Sequence, residues 1–105
     1  MAANVVEMTS MTVWDQMVCA YRTVVVIFYK KDCPASTTLR GHVENEAPDF
    51  EGKLTFIFAE GALFPTLIGM LGLPDLPKAV AFRNGNPLGL IDVENKEHLK
   101  SICPF

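Results

Sequence analysis

Basic residues are scarce in this chain and do not cluster. Lysine and arginine number 9 against 12 aspartates and glutamates, for a formal net charge of −3. The one adjacent basic pair is Lys30-Lys31. Nucleic-acid binding rests on a basic face, so the composition excludes a nucleic acid as partner. Cysteine is equally sparse, at Cys19, Cys33 and Cys103. An odd number does not make a disulfide framework. No pair has the short spacing of a zinc site, and His42 and His98 do not complete one, so no metal is expected. Long hydrophobic runs are missing too. The longest apolar stretch, Gly61 to Leu76, is broken by Pro65, Pro74 and Asp75 and is too short to cross a bilayer. Met1-Ala2-Ala3-Asn4 has no basic residues ahead of an apolar stretch and does not read as a secretory signal. The expected compartment is therefore reducing and intracellular, the cytoplasm. There is no linker, repeat or low-complexity run, and nothing marks an oligomeric state.

What is present fits one globular domain over residues 1–105, with 50% apolar and 20% charged residues. A chain of this length can close a single core without metals or disulfides. Asn4 to Met8 reads as a short strand. Thr12-Val13-Trp14-Asp15 has the form of a capping box, and Val13, Trp14, Met17, Val18 and Tyr21 follow at helical spacing. Val24 to Tyr29 is a continuous β-branched and aromatic run, the pattern of a strand buried on both faces. Pro34 suits the first turn of a helix that carries Leu39 and Val43 to about Glu46, with Gly41 weakening its middle and Pro48 ending it. Leu54 to Ala59 is a strand. Phe64 to Leu71 is a short helix closed by Gly72. Ala79 to Arg83 and Leu88 to Asp92 are strands joined at Asn84-Gly85, a strong hairpin signal. Asn95 can cap a last helix bearing Leu99 and Ile102. The order β-α-β-α-β-α-β-β-α predicts an α/β fold: a mixed central sheet of about five strands flanked by about four helices.

Two junctions narrow this further. Val24 to Tyr29 runs into Cys33-Pro34-Ala35-Ser36, and Leu76-Pro77-Lys78-Ala79 runs through a strand to Asn84-Gly85. The first resembles the strand-Cys-x-x-Cys-helix element of the thioredoxin superfamily, and the second its Ile-Pro-Thr strand and Asn-Gly turn. The resemblance covers nearly the whole chain. It implies the thioredoxin fold, a cis Leu76–Pro77 bond beside Cys33, and a substrate groove formed by Pro34, Ala35, Leu76 and Pro77. Departures stand beside it. Ser36 occupies the place of the resolving cysteine, Asp32 that of the usual tryptophan, Ile27 that of the usual buried aspartate, and Lys78 that of threonine.

A thiolate is the nucleophile of disulfide exchange. A cysteine at a helix start meets free N–H groups and the positive end of the helix dipole, which favour the thiolate. Lys30 and Lys31 would add to this, and Asp32 would oppose it. Ser36 can offer a hydroxyl to Cys33 but cannot resolve a mixed disulfide. The expected function is thus monothiol exchange with client proteins, with Cys33 and Ser36 as the catalytic pair. No bound cofactor is expected, and glutathione would serve as an outside reductant. Cys33 can equally be an exposed thiol on a fold without chemistry, in which case the chain is a binding or assembly subunit that meets a partner protein through the Cys33/Pro77 groove. A glutaredoxin-like, glutathione-dependent protein is a third reading, which the N-terminal strand and helix fit less well. Cys19 and Cys103 read as core or near-terminal thiols, and Trp14 as a core side chain. Ala62-Leu63-Phe64 and Leu71 to Pro74 are core or an apolar contact surface.

Overall fold

The computed structural model describes residues 4–18, 23–73 and 75–103. Its centre is a five-stranded sheet in the order β1-β3-β2-β4-β5. The strands are β1 (Val5–Glu7), β2 (Thr23–Tyr29), β3 (Thr55–Glu60), β4 (Lys78–Arg83) and β5 (Asn86–Ile91). β3 runs parallel to both β1 and β2, whereas β4 runs antiparallel to β2 and β5. β2 is central, and Val24 to Phe28 are wholly buried. Its side chains alternate between two cores, as strand geometry requires. Val25 and Ile27 pack with Val43, Phe50 and Leu99, whereas Val24, Val26 and Phe28 pack with Met8, Val18, Phe64 and Leu67. The continuous apolar run is thus the signature of a strand with helices on both sides.

One face is covered by α2 (Pro34–Glu46) and α4 (Lys96–Ser101), and the other by α1 (Met11–Val13) and α3 (Pro65–Leu71). α1 continues as a π-type turn over Trp14–Val18. Trp14 is half-buried there and meets the Phe82 ring edge-on at 5.2 Å. The capping-box expectation is corrected: the residue ahead of α1 is Ser10, not Thr12, and its side chain makes no cap hydrogen bond. The apolar spacing behind it is the same for either start, so periodicity alone could not place the helix end. Tyr21 lies outside the described residues. Gly41 does not break α2, which is continuous, and Pro48 sits in a 3-10 turn (Ala47–Phe50) that follows it. Gly72 closes α3 with φ 66°, and Asn84-Gly85 turns the β4–β5 hairpin with φ 53° and 80°, the left-handed pair that a two-residue hairpin needs. β5 begins at Asn86, ahead of the expected Leu88, because ladder pairing does not need apolar side chains at a sheet edge. Asn95 caps α4 by accepting the Glu97 and His98 N–H groups at 3.0 and 3.2 Å.

Polar ties fix how α2 lies on the sheet. Arg40 Nη2 donates to Glu7 Oε1 at 2.9 Å, and the Tyr29 hydroxyl donates to Glu7 Oε2 at 3.3 Å. The Arg40 guanidinium lies 4.0 Å from the centre of the Phe58 ring. A stacked cation of this kind adds about 0.5–1 kcal/mol at an exposed site. Buried Asn4 donates to the carbonyls of Ala47 and Leu54 at 2.9 and 3.0 Å, tying the N-terminal strand to the segment that follows α2. The start of α2 is therefore held by contacts made two turns further along it.

Candidate functional site

Cys33 is the residue just ahead of α2, in extended conformation with φ −109° and ψ 121°, and Pro34 opens the helix. The chain reaches it from β2 through Asp32, whose φ of 58° reverses direction; aspartate is among the few side chains that tolerate this region. The Cys33 carbonyl accepts the Thr37 N–H at 3.0 Å and the Thr37 hydroxyl at 3.2 Å. These bonds anchor the backbone and leave the half-exposed thiol at the helix mouth. The Ser36 N–H and then the Ser36 hydroxyl hold the thiol below its ordinary pKa. Partial burial opposes them, while the Ala35 N–H and the Lys30 charge assist. Ser36 is itself buried, and its Oγ accepts the Lys30 N–H at 3.0 Å. With that lone pair engaged, the hydroxyl proton is free to turn toward the sulfur. Lys31 and Asp32 do not figure among the causes.

The Leu76–Pro77 peptide bond is cis. Leu76 packs closely on Gly61, the first residue of a 3-10 turn (Gly61–Leu63) after β3, where an added Cβ would run into Leu76 Cδ1. Glycine at this position was not legible as a site residue, because the approach joins segments distant in sequence. Ala35 and Pro77 line one open cleft of about 510 Å³, together with Leu39, Leu90 and Val93. The first turn of α2 and the segment at Pro77 thus come together on one surface. Ile27 is fully buried in the core between the sheet and α2, so no ionisable group stands at that position.

The other singled-out residues fall elsewhere. Cys103 is half-buried just past α4, where its thiol faces the Leu99 carbonyl at 3.5 Å and a groove shared with Phe50 and Lys96. Cys19 lies outside the described residues. The apolar stretches divide. Phe64 is buried and Leu71 and Leu73 pack against the core, whereas Leu63 is exposed and borders a second groove with Met11 and Met70. Pro74 lies outside the described residues. Among the described residues no helix is long and apolar enough to cross a membrane.

No protein-family model matches the chain. No curated protein matches its sequence. Solved structures do match. The thioredoxin of Trypanosoma brucei brucei superposes with a TM-score of 0.78 at 20% identity, covering 96% of this chain and 91% of that one. Mitochondrial thioredoxin 3 of Saccharomyces cerevisiae, in its oxidised form, gives 0.75 at 18% identity, covering 93% and 92%. The thioredoxin of Malassezia sympodialis gives 0.78 at 17% identity, covering 92% and 85%. The fold is therefore the thioredoxin fold, a five-stranded mixed sheet with four helices among the described residues.

Proposed function

We propose that this thioredoxin-fold protein carries out monothiol exchange through Cys33, forming mixed disulfides with client proteins. The observation that carries the reading is the position of Cys33 just ahead of α2 beside the buried Ser36, whose N–H and hydroxyl lower the thiol pKa and whose Oγ accepts the Lys30 N–H. These groups favour the anion, and the anion is the attacking species. The Cys33 thiolate attacks one sulfur of a client disulfide. An S–S bond forms between Cys33 and that sulfur, the client S–S bond breaks, and the second client sulfur leaves as a thiolate. Ser36 cannot perform the second attack. Release needs an outside thiol such as glutathione, whose thiolate attacks the client-derived sulfur and returns Cys33 as a thiolate. When the captured group is glutathione itself, the products are a free client thiol, now reduced, and glutathione disulfide, the oxidised product. Leu76, Pro77, Pro34 and Ala35 would form the surface on which the client lies.

A binding or assembly subunit is the second reading, and Ile27 favours it, because a fully buried isoleucine in the apolar core is itself no proton acceptor. Oxidised glutathione separates the two. In a Cys19→Ser/Cys103→Ser background, intact-mass analysis should show one glutathione adduct that disappears with Cys33→Ser. Absence of that adduct at neutral pH, with partner capture unaffected by Cys33→Ser, would leave the binding reading alone.

A further inference from the structure

A helix on the surface of a globular domain turns charged or polar side chains to water. α2 exposes Glu44, and α4 exposes Lys96, Glu97 and Lys100. α3 departs from this pattern. The segment from Gly61 to Leu73 carries no charged residue, yet Ala62, Leu63, Pro65, Thr66, Gly69 and Met70 in it are exposed. Met70 and Leu63 are the most exposed large apolar side chains among the described residues, at 77% and 62%. Both line a groove of about 450 Å³ between α1 and α3, together with Trp14, Phe64 and a third exposed apolar side chain, Met11. The other exposed large apolar side chains, Leu88 and Leu90, lie on the edge strand β5 and do not line the groove. Asp15 is the one charged residue that does.

We infer that this face is a dimer surface, covered by the same face of a second copy of the chain. Its charge pattern selects that occupant. An isologous contact sets a patch against itself, so a charge near the two-fold axis meets its own like charge at a cost. A patch made for a different protein is free to carry charges matched on the other side, whereas this one carries none except Asp15. Its shape agrees. Projecting side chains and a hollow lie next to each other on one patch, so a two-fold rotation seats the Met70 of each copy over the groove of the other. Methionine suits that place, because its unbranched side chain fills an irregular gap. The patch is small: nine residues line the groove, against roughly 20–30 per side in a stable interface. The dimer is therefore weak, with a dissociation constant above about 1 μM, and it exchanges with monomer. No cysteine among the described residues lines the groove, so the contact is non-covalent.

The test is sedimentation of the full chain from about 5 μM to 1 mM, the range in which a contact of this size associates. A reductant is present throughout, so that no disulfide links the copies. The mean mass should rise with concentration from that of the monomer toward twice that value. Added salt should not weaken the association, since no ion pair holds it. Met70→Glu and, separately, Leu63→Glu should each raise the dissociation constant about tenfold or more, because each sets a charge against its own copy or buries it in the groove. Both side chains are largely exposed in the monomer, so the melting temperature of dilute protein should not move in either variant. Leu88→Glu, on the edge strand, should leave the association as it was. A monomer at every concentration would overturn the inference, and so would a dimer that survives both groove variants or is lost in Leu88→Glu. Titration with an amphipathic helical peptide bearing leucine at every third or fourth position tests the other occupant. Amide shifts in the groove from that peptide, in a chain that stays monomeric, would give the surface to a different protein and end the dimer assignment.

Discussion

Replacing Ile27 by aspartate would put a carboxyl where thioredoxins usually bury one, and the structure fixes what that costs here. Ile27 has 0% exposure and sits among Val43, Phe58 and Ala79. Removing its branched side chain from a packed core costs about 2–4 kcal/mol. Among the described residues no charged side chain is buried, and full burial raises the pKa of an introduced carboxyl by up to about 3–5 units. Each unit is about 1.4 kcal/mol, so ionisation at pH 7 is strongly opposed and the group stays largely protonated. Its folded pKa is then above the unfolded value near ~3.9, so the penalty is smallest below that pH and grows as pH rises toward the folded pKa. The combined loss at pH 7 is about 5 kcal/mol or more, against a total of about 5–15 kcal/mol for a domain of this size. Urea unfolding of Ile27→Asp and wild type at pH 7 and pH 4.5 should show a large loss at the first and a smaller one at the second. Ile27→Val should lose only ~1 kcal/mol at both. A loss under ~2 kcal/mol for Ile27→Asp, independent of pH, would mean that the core around Ile27 accommodates a charge, and the argument from its apolar burial would fail.

Other predictions concern the site itself. Ser36→Ala removes the hydroxyl that favours the Cys33 thiolate, so the pH profile of alkylation should move to higher pH, and the freed Lys30 N–H should cost about 0.5–1.5 kcal/mol in urea unfolding. An unmoved profile would show that the backbone N–H groups act alone. Gly61→Ala makes the end of the half-buried Leu76 side chain turn aside, a shift at the low end of overpacking, about 1 kcal/mol. The melting temperature should fall by roughly 4–8 °C per kcal/mol. An unchanged melting temperature would show that the turn and the Pro77 segment are not in contact.

Much of this fold was legible because its strongest signals are local. Val24 to Phe28, the Asn84-Gly85 turn and the Asn95 cap each carry their structure in a few adjacent residues. The start of α1 was not legible, because Thr12 and Ser10 both precede the same apolar spacing and tertiary packing decides between them. β5 was read two residues short because its exposed edge shows no apolar pattern. At the site, the first turn of α2 could be read from Cys33-Pro34 onward. The role of Lys30 was only partly anticipated: its charge assists, but its backbone N–H, bonded to Ser36, depends on how β2 delivers the chain to α2. The Gly61–Leu76 approach and the Glu7–Arg40–Tyr29 network left no trace in the sequence, since each joins segments that only the folded sheet brings together.

The central claim is that Cys33 is an activated thiol. It is tested most directly by the pH dependence of its alkylation in the Cys19→Ser/Cys103→Ser background. The folded pKa is depressed, so reactivity should already be present below the ordinary thiol pKa of about 8.5 and be lost as pH falls through the lower folded value. A midpoint at or above ~8.5 would contradict the account and turn attention to what the fold binds.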